Sequence, residues 1–175
     1  MTVYFTWIEE SPIGEILLTS DGQSLTGLYL KGQKHFPTQT DSWQQAAIAP
    51  PLPQVAQQLT EYFSSQRQTF DLPLAACGTN FQQTVWSLLP NIPYGETISY
   101  GSLAHKIGKP GSSRAVGAAN GRNPISIIVP CHRVVASNGK LTGYAGGIDK
   151  KQWLLAHERG LFLKKEEIQQ TSLFH

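Results

Sequence analysis

Glycine and proline cut the second half of this chain into segments that can form only short helices. Pro90, the turn Ile92-Pro93-Tyr94-Gly95, the joint Gly108-Lys109-Pro110-Gly111, Gly121 and Gly160 fall between apolar runs. Proline lacks an amide donor and clashes with the preceding turn, and glycine readily ends a helix. Thr79 or Asn80 is predicted to cap a first helix, with Phe81, Val85, Leu88 and Leu89 on its apolar face. Ser99 caps a second, with Leu103 and Ile107 inward. Ser112 or Ser113 caps a third that runs to Asn120. Asp149 caps a fourth, with Trp153, Leu154 and Leu155. The first half reads differently. Ile13–Leu18 and Leu25–Leu30 flank Ser20-Asp21-Gly22, a hairpin signal. Pro53 opens an amphipathic helix with Val55, Leu59, Tyr62 and Phe63 on one face. A short extended piece, 70–74, leads to a junction at Cys77-Gly78. The expected class is α+β: an N-terminal domain over 1–76, a mainly helical domain over 77–165, and a tail, 166–175, whose order the sequence leaves open.

The net charge of +2 conceals an asymmetry. Residues 1–96 balance at −5 and residues 97–165 at +9, with Glu166 and Glu167 following. A basic half joined to an acidic one predicts that one half meets a polyanion. The two cysteines, Cys77 and Cys131, cannot build a disulfide framework, and no ligand-spaced histidines accompany them. A reducing compartment follows: cytoplasm, or nucleus in a eukaryote. The N-terminal residues lack the basic start and apolar run of a signal peptide, and no stretch is apolar for long enough to span a bilayer. No membrane, metal or cofactor is expected. Cys77 reads as structural and His35 as a surface residue, and nothing in the first half assembles a catalytic group.

Two features of the basic half carry chemistry. Ser99–Ile107 and Ser112–Asn120 have helix-turn-helix proportions. The second of these helices, around Arg114-Ala115-Val116-Gly117-Ala118-Ala119, is nearly all small residues. Such a helix can approach a partner closely but lacks the Asn, Gln and Arg side chains that read base edges. It would either grip DNA without reading sequence or pack tightly on a neighbouring helix. The second feature is Ile128-Val129-Pro130-Cys131-His132-Arg133-Val134-Val135. It places a cysteine at the edge of a strand-like run beside imidazole and guanidinium groups, which favour the nucleophilic thiolate.

In their order, these motifs resemble the O6-alkylguanine-DNA alkyltransferases (methylated-DNA–protein-cysteine methyltransferases). Asn123-Pro124, Pro130-Cys131-His132-Arg133, Gly143-Tyr144-Ala145-Gly146-Gly147 and Leu154-Leu155-Ala156-His157-Glu158 carry the match, which covers about residues 79–163. The first half matches only through Ser11-Pro12-Ile13-Gly14 and Gly27-Leu28. The resemblance implies an N-terminal ribonuclease H-like α/β domain and a C-terminal winged helix-turn-helix domain. It implies a monomer that binds double-stranded DNA from the minor-groove side, flips out the damaged base and transfers the alkyl group from O6-alkylguanine, or O4-alkylthymine, to Cys131. The thioether is stable, so each chain acts once.

Position by position, the resemblance makes His132 the base that deprotonates Cys131 through a water, because neighbours in an extended segment point to opposite faces. Glu158 orients the imidazole, and Asn123 braces the turn. Arg114 fills the gap left by the flipped base, and Tyr100 helps swing the nucleotide and bonds the purine N3. Tyr144 walls the pocket, the carbonyls of Cys131 and Val134 accept from the 2-amino group, and the Ala145 N–H donates to O6. Ala145 and Ser126 depart from relatives that carry serine and proline there. A lesion-binding relative without transfer and a Cys-His hydrolase are the alternatives. Cys131 argues against the first, and the basic helix pair against the second.

Overall fold

Asp21 makes the predicted hairpin. Its Oδ1 accepts from the amides of Gln23 and Ser24 at 2.9 and 2.8 Å, and Gly22 takes the positive φ of 96° that the turn needs. In the computed structural model, which describes residues 1–162, this turn joins β2 (Ile16–Ser20) to β3 (Leu25–Leu30). The expected tail, 166–175, lies outside the described residues. With β1 (Val3–Ile8) and β4 (Trp43–Gln45) these strands form one sheet in the order β3-β2-β1-β4, antiparallel except that β4 runs parallel to β1. All five residues of β2 are buried, so this central strand is covered on both faces.

Helix α1 (Leu52–Phe63) packs on β1 and β2 and carries Pro53 in its first turn, where the missing amide costs no hydrogen bond. Leu52, Val55, Leu59 and Tyr62 are its buried residues, spaced three and four apart along one stripe.

The outer edge of β3 is covered by two short pieces of chain. Leu25 donates to Pro73 O at 2.8 Å and accepts from Ala75 N at 2.9 Å. Leu28 donates to Pro124 O at 2.9 Å and accepts from Ser126 N at 3.2 Å. The second contact hangs the Asn123–Ser126 segment on the N-terminal sheet, and one hydrophobic cluster runs from Leu28 and Tyr62 through Trp86 and Val116 to Cys131 and Leu154.

The C-terminal half holds the predicted helices. Helix α2 (Asn80–Leu88) is capped by Thr79, whose Oγ1 accepts from Gln82 N while the Gln82 side chain accepts from Thr79 N. Leu88 is only half-buried; Trp86 takes the inward place and donates from Nε1 to Ala119 O at 2.8 Å. Helix α3 (Tyr100–Lys106) is capped by Ser99, and α4 (Ser113–Gly121) follows. Short parallel strands β5 (Ile98–Ser99) and β6 (Val134–Val135) tie the start of α3 to the chain after Cys131. Helix α5 (Ile148–Glu158) corrects one expectation. Its cap is Gly147, at φ 99°, and Asp149 lies inside the first turn, where a carboxylate favours the helix N-terminus. The architecture is α+β, with sheet and covering helix first and the helical domain second. No described helix is long and apolar enough to cross a membrane.

Candidate active site

Cys131 does not end a strand. Residues Cys131–Arg133 form a single 3-10 turn after Pro130, and extended backbone resumes only at Val134. Asn123 holds the approach to this turn. Its Oδ1 accepts from Ile125 N at 3.0 Å, and its Nδ2 donates to Val129 O at 2.7 Å and Ile125 O at 3.3 Å. Within that brace Ile127 sits at φ 71°, a conformation a β-branched residue adopts only when its surroundings impose it. Asn123, expected to brace the turn, thus bonds the backbone on both sides of Ile127. The opposite-faces argument for His132 does not hold, because the turn replaces the extended segment.

The imidazole of His132 is fully buried, with Nε2 at 2.8 Å from Glu158 Oε1. Arg133 grips the same carboxylate, Nε to Oε2 at 3.0 Å and Nη2 to Oε1 at 2.8 Å, and anchors Nη1 on Ile92 O at 2.8 Å. Gly95 N reaches Oε2 at 3.3 Å, and the Tyr62 hydroxyl donates to Oε1 at 2.9 Å. With donors on both oxygens, the Glu158 carboxyl is held far below its ordinary range despite burial and stays ionised. Arg133 already balances that charge. Burial outweighs the carboxylate at His132 and pushes the imidazole below its ordinary value, so the pair is a hydrogen bond between a neutral ring and a carboxylate rather than an ion pair. Nε2 carries the proton. Nδ1, buried and without a hydrogen-bond partner, is then the free base nitrogen.

Cys131 is 4 % exposed, and burial pushes its thiol up more than the Asn123 side chain and the Lys151 ammonium pull it down. The flanking cations were expected to favour the thiolate. They do not suffice, since Arg133 is committed to Glu158, so the resting sulfur is a thiol whose proton must leave during reaction.

Around the sulfur, Asn120 Nδ2 donates to Cys131 O at 3.1 Å. Lys151, fully buried, donates from Nζ to Val134 O at 2.7 Å and Thr142 O at 3.1 Å. Of the two carbonyls expected to accept from a purine amine, that of Cys131 already accepts from Asn120 Nδ2 and the Val134 N–H, and that of Val134 accepts from Lys151, with a second lone pair left. Tyr100 opens α3 and donates to Thr142 O at 3.2 Å. Tyr144 is 8 % exposed and leaves its buried hydroxyl without a hydrogen-bond partner.

A cleft of about 460 Å³ lies beside this group, walled by Gly117, Ala118 and Arg122 on one side and Gly143, Tyr144 and Ala145 on the other. Arg114, Ala115 and Ala118 are exposed on α4 and Arg122 at its C-cap, so two arginines bracket a face of small residues. Gly117 lies against Tyr100, where an added Cβ would come to 3.7 Å from the ring. The small residues of α4 thus allow close packing on one face and leave a smooth surface on the other.

Cys131, His132, Glu158, Asn123, Val134 and Tyr144 converge at one buried place; Tyr100 and Ala145 border it, and Arg114 stands apart on the exposed face of α4. The sequence reading missed Tyr62, Asn120 and Lys151 and gave Arg133 the wrong partner. Lys151 had a signal: Lys151, Leu154, Leu155 and Glu158 share one helical stripe, which puts two charges on a buried face. Nothing in the sequence links Tyr62 to a carboxylate 96 residues away.

Family profiles match both halves of the chain: "6-O-methylguanine DNA methyltransferase, ribonuclease-like domain" over residues 2–76, and the DNA binding domain of the same description over 80–160. A methylated-DNA–protein-cysteine methyltransferase of Methanosarcina acetivorans is 51 % identical over 152 residues, covering 86 % of this chain and 96 % of its own. The chain belongs to the 6-O-methylguanine DNA methyltransferase family. Among solved members of that methyltransferase family, a Mycobacterium tuberculosis O6-methylguanine methyltransferase superposes with a TM-score of 0.83 at 47 % identity, over 91 % of this chain and 94 % of its own. A structure of Mycobacterium tuberculosis OGT in complex with DNA superposes with a TM-score of 0.81 at 45 % identity, over 91 % and 94 %.

Proposed function

We propose that this chain repairs alkylated DNA by taking the lesion's alkyl group onto Cys131, once per molecule. The observation that carries the reading is the line Glu158–His132, which leaves a neutral imidazole with one free basic nitrogen in the residue next to a buried thiol. The substrate is O6-alkylguanine in double-stranded DNA, with O4-alkylthymine as a second lesion. The thiol proton passes through a water to His132 Nδ1, and Glu158 supports the resulting imidazolium. The Sγ–carbon bond forms as the carbon–O6 bond breaks. The electron pair goes to guanine, which leaves with O6 facing the Ala145 N–H and takes a proton from water, while the imidazolium returns the thiol's proton to water.

The exposed arginines and bare backbone of α4 support a helix-turn-helix that grips phosphates without reading sequence. A cysteine only 4 % exposed can meet a base only if that base leaves the stack, so Arg114 takes its place and Tyr100 turns its phosphate. The domains run over 1–76 and 77–165. The protein works as a monomer in the cytoplasm, or the nucleus of a eukaryote, where both free cysteines stay reduced.

The test is intact-protein mass after mixing with an oligonucleotide duplex that carries O6-methylguanine. One methyl per chain, absent from Cys131→Ala, is expected. Binding without mass gain would mean a lesion marker. Continuous release of product would mean a hydrolase.

A further inference from the structure

The N-terminal half was not expected to supply anything to the reaction, yet it places a phenol on the catalytic carboxylate. Tyr62 is fully buried, and its hydroxyl donates to Glu158 Oε1 at 2.9 Å, the same oxygen that faces His132 Nε2 at 2.8 Å. The ring is fixed from several sides. Tyr94 meets it edge-on at 6.1 Å, Phe70 lies tilted at 5.5 Å, and His157 meets it edge-on at 5.2 Å. His157 Nε2 also lies 2.7 Å from the Tyr62 carbonyl, so α5 holds α1 through the residue next to Glu158. Packing alone would be served as well by phenylalanine, which brings no buried hydroxyl to satisfy.

We propose that Tyr62 is a positioning residue of the alkyl-transfer site, its hydroxyl orienting the Glu158 carboxylate and limiting how strongly that carboxylate draws a proton onto His132. The inference rests on the transfer reaction proposed above. A donor on Oε1 takes up part of the negative charge that would otherwise stabilise an imidazolium. With the phenol in place, His132 stays neutral as the site requires, and the carboxylate cannot rotate away from the ring. The other groups that face this pair are Arg133 on the same turn, Tyr94 from the chain before β5, Lys151 on α5, and Cys131 with Tyr144 beside it. Arg133 and Lys151 both oppose a charge on His132, so Tyr62 acts in the same direction as they do.

The experiment follows single-turnover methylation of Cys131 by intact mass across pH in the full chain, with an O6-methylguanine duplex as substrate. Two replacements are compared with the natural protein: Tyr62→Phe, and 3,5-difluorotyrosine placed at position 62. The first removes the donor, and the second strengthens it without changing the packing. The acid limb of the rate profile is expected to move up by about half to one pH unit in Tyr62→Phe, a roughly three- to tenfold loss of rate below the midpoint, and to move down with the fluorinated ring. An NMR titration of the His132 ring reads the same shifts without any reaction and serves if Tyr62→Phe is too unstable to assay. Limbs and ring titrations that coincide with those of the natural protein overturn the proposal, as does a uniform rate loss with an unmoved midpoint. A natural protein that gains no methyl at all would instead sink the transfer reaction itself.

Discussion

Glu158 is the residue on which the others converge. Tyr62, Gly95, His132 and Arg133 all donate to it, and it is buried at the end of α5. Glu158→Gln keeps the shape but leaves the Arg133 guanidinium without its anion. Loss of one partner of a buried pair costs about 3–5 kcal/mol, and urea unfolding at neutral pH should show a loss of that size together with undetectable transfer. The same site sets how stability depends on pH. Glu158 titrates far below its ordinary 4.5 in the folded chain, so the unfolded chain binds its proton first, and stability present above that value falls as the medium is acidified through it. His132 is held below its ordinary 6.5, so it too binds its proton first when unfolded, and the decline begins near that pH. Denaturation midpoints between pH 7 and 4 should fall steadily in the natural protein and less steeply in Glu158→Gln. Cys131 and His132 stand side by side in one motif and Glu158 in another, and only the fold brings the carboxylate to the imidazole. Arg133 was read as a neighbour of sulfur because adjacency in the chain does not say which way a side chain turns.

At the level of elements, short-range chemistry was the most legible. Thr79, Ser99, Pro53 and the Asp21 turn sit where their hydrogen-bonding and φ preferences put them. Thr79→Ala should cost about 1 kcal/mol and leave transfer rates unchanged, as thermal melts and mass assays would show. The acceptor turn was the least legible. An apolar run around Pro130 reads as strand, but the side chain of Asn123, several residues earlier, bends it into a brace with Ile127 at positive φ. No periodicity encodes such a bond. Asn123→Ala leaves Ile125 N without a partner in a buried place, at about 1–3 kcal/mol, and strips Val129 O of one of its two bonds, leaving the one from Cys131 N. It should lower stability by roughly 3 kcal/mol and slow transfer at least about tenfold, while Asn123→Asp, which keeps the acceptor, should retain more of both.

Across the whole molecule, the halves are joined by a shared cluster, by Leu28 on the Pro124–Ser126 segment and by Tyr62 on Glu158. The sequence showed two domains at a junction but not this cross-connection, since pairing between distant segments leaves no local pattern. Trp7 and Trp43 report on one half and Trp86 and Trp153 on the other. Replacing all but one tryptophan in each half in turn should give fluorescence midpoints in urea that coincide with each other and with circular dichroism; separated transitions would show that the halves unfold independently. The +9 balance of residues 97–165 overstates by one the charge available to DNA, because Lys151 is internal, while buried Arg133 and Glu158 cancel. Affinity for undamaged duplex should therefore be modest, fall steeply as salt rises and vary little with sequence in a binding titration.

One consequence lies at the rim of the sheet. Among the described residues, Leu74 and Ile125 alone bridge to the outer side of β3, and Ile125 belongs to the stretch that Asn123 stitches down beside the sulfur. Whatever dislodges that stretch also bares Leu28's main-chain amide and carbonyl, the template on which a second molecule can add a strand of its own. Loss of that stretch therefore uncovers a strand edge, and the same few bonds that aim the nucleophile also cover it.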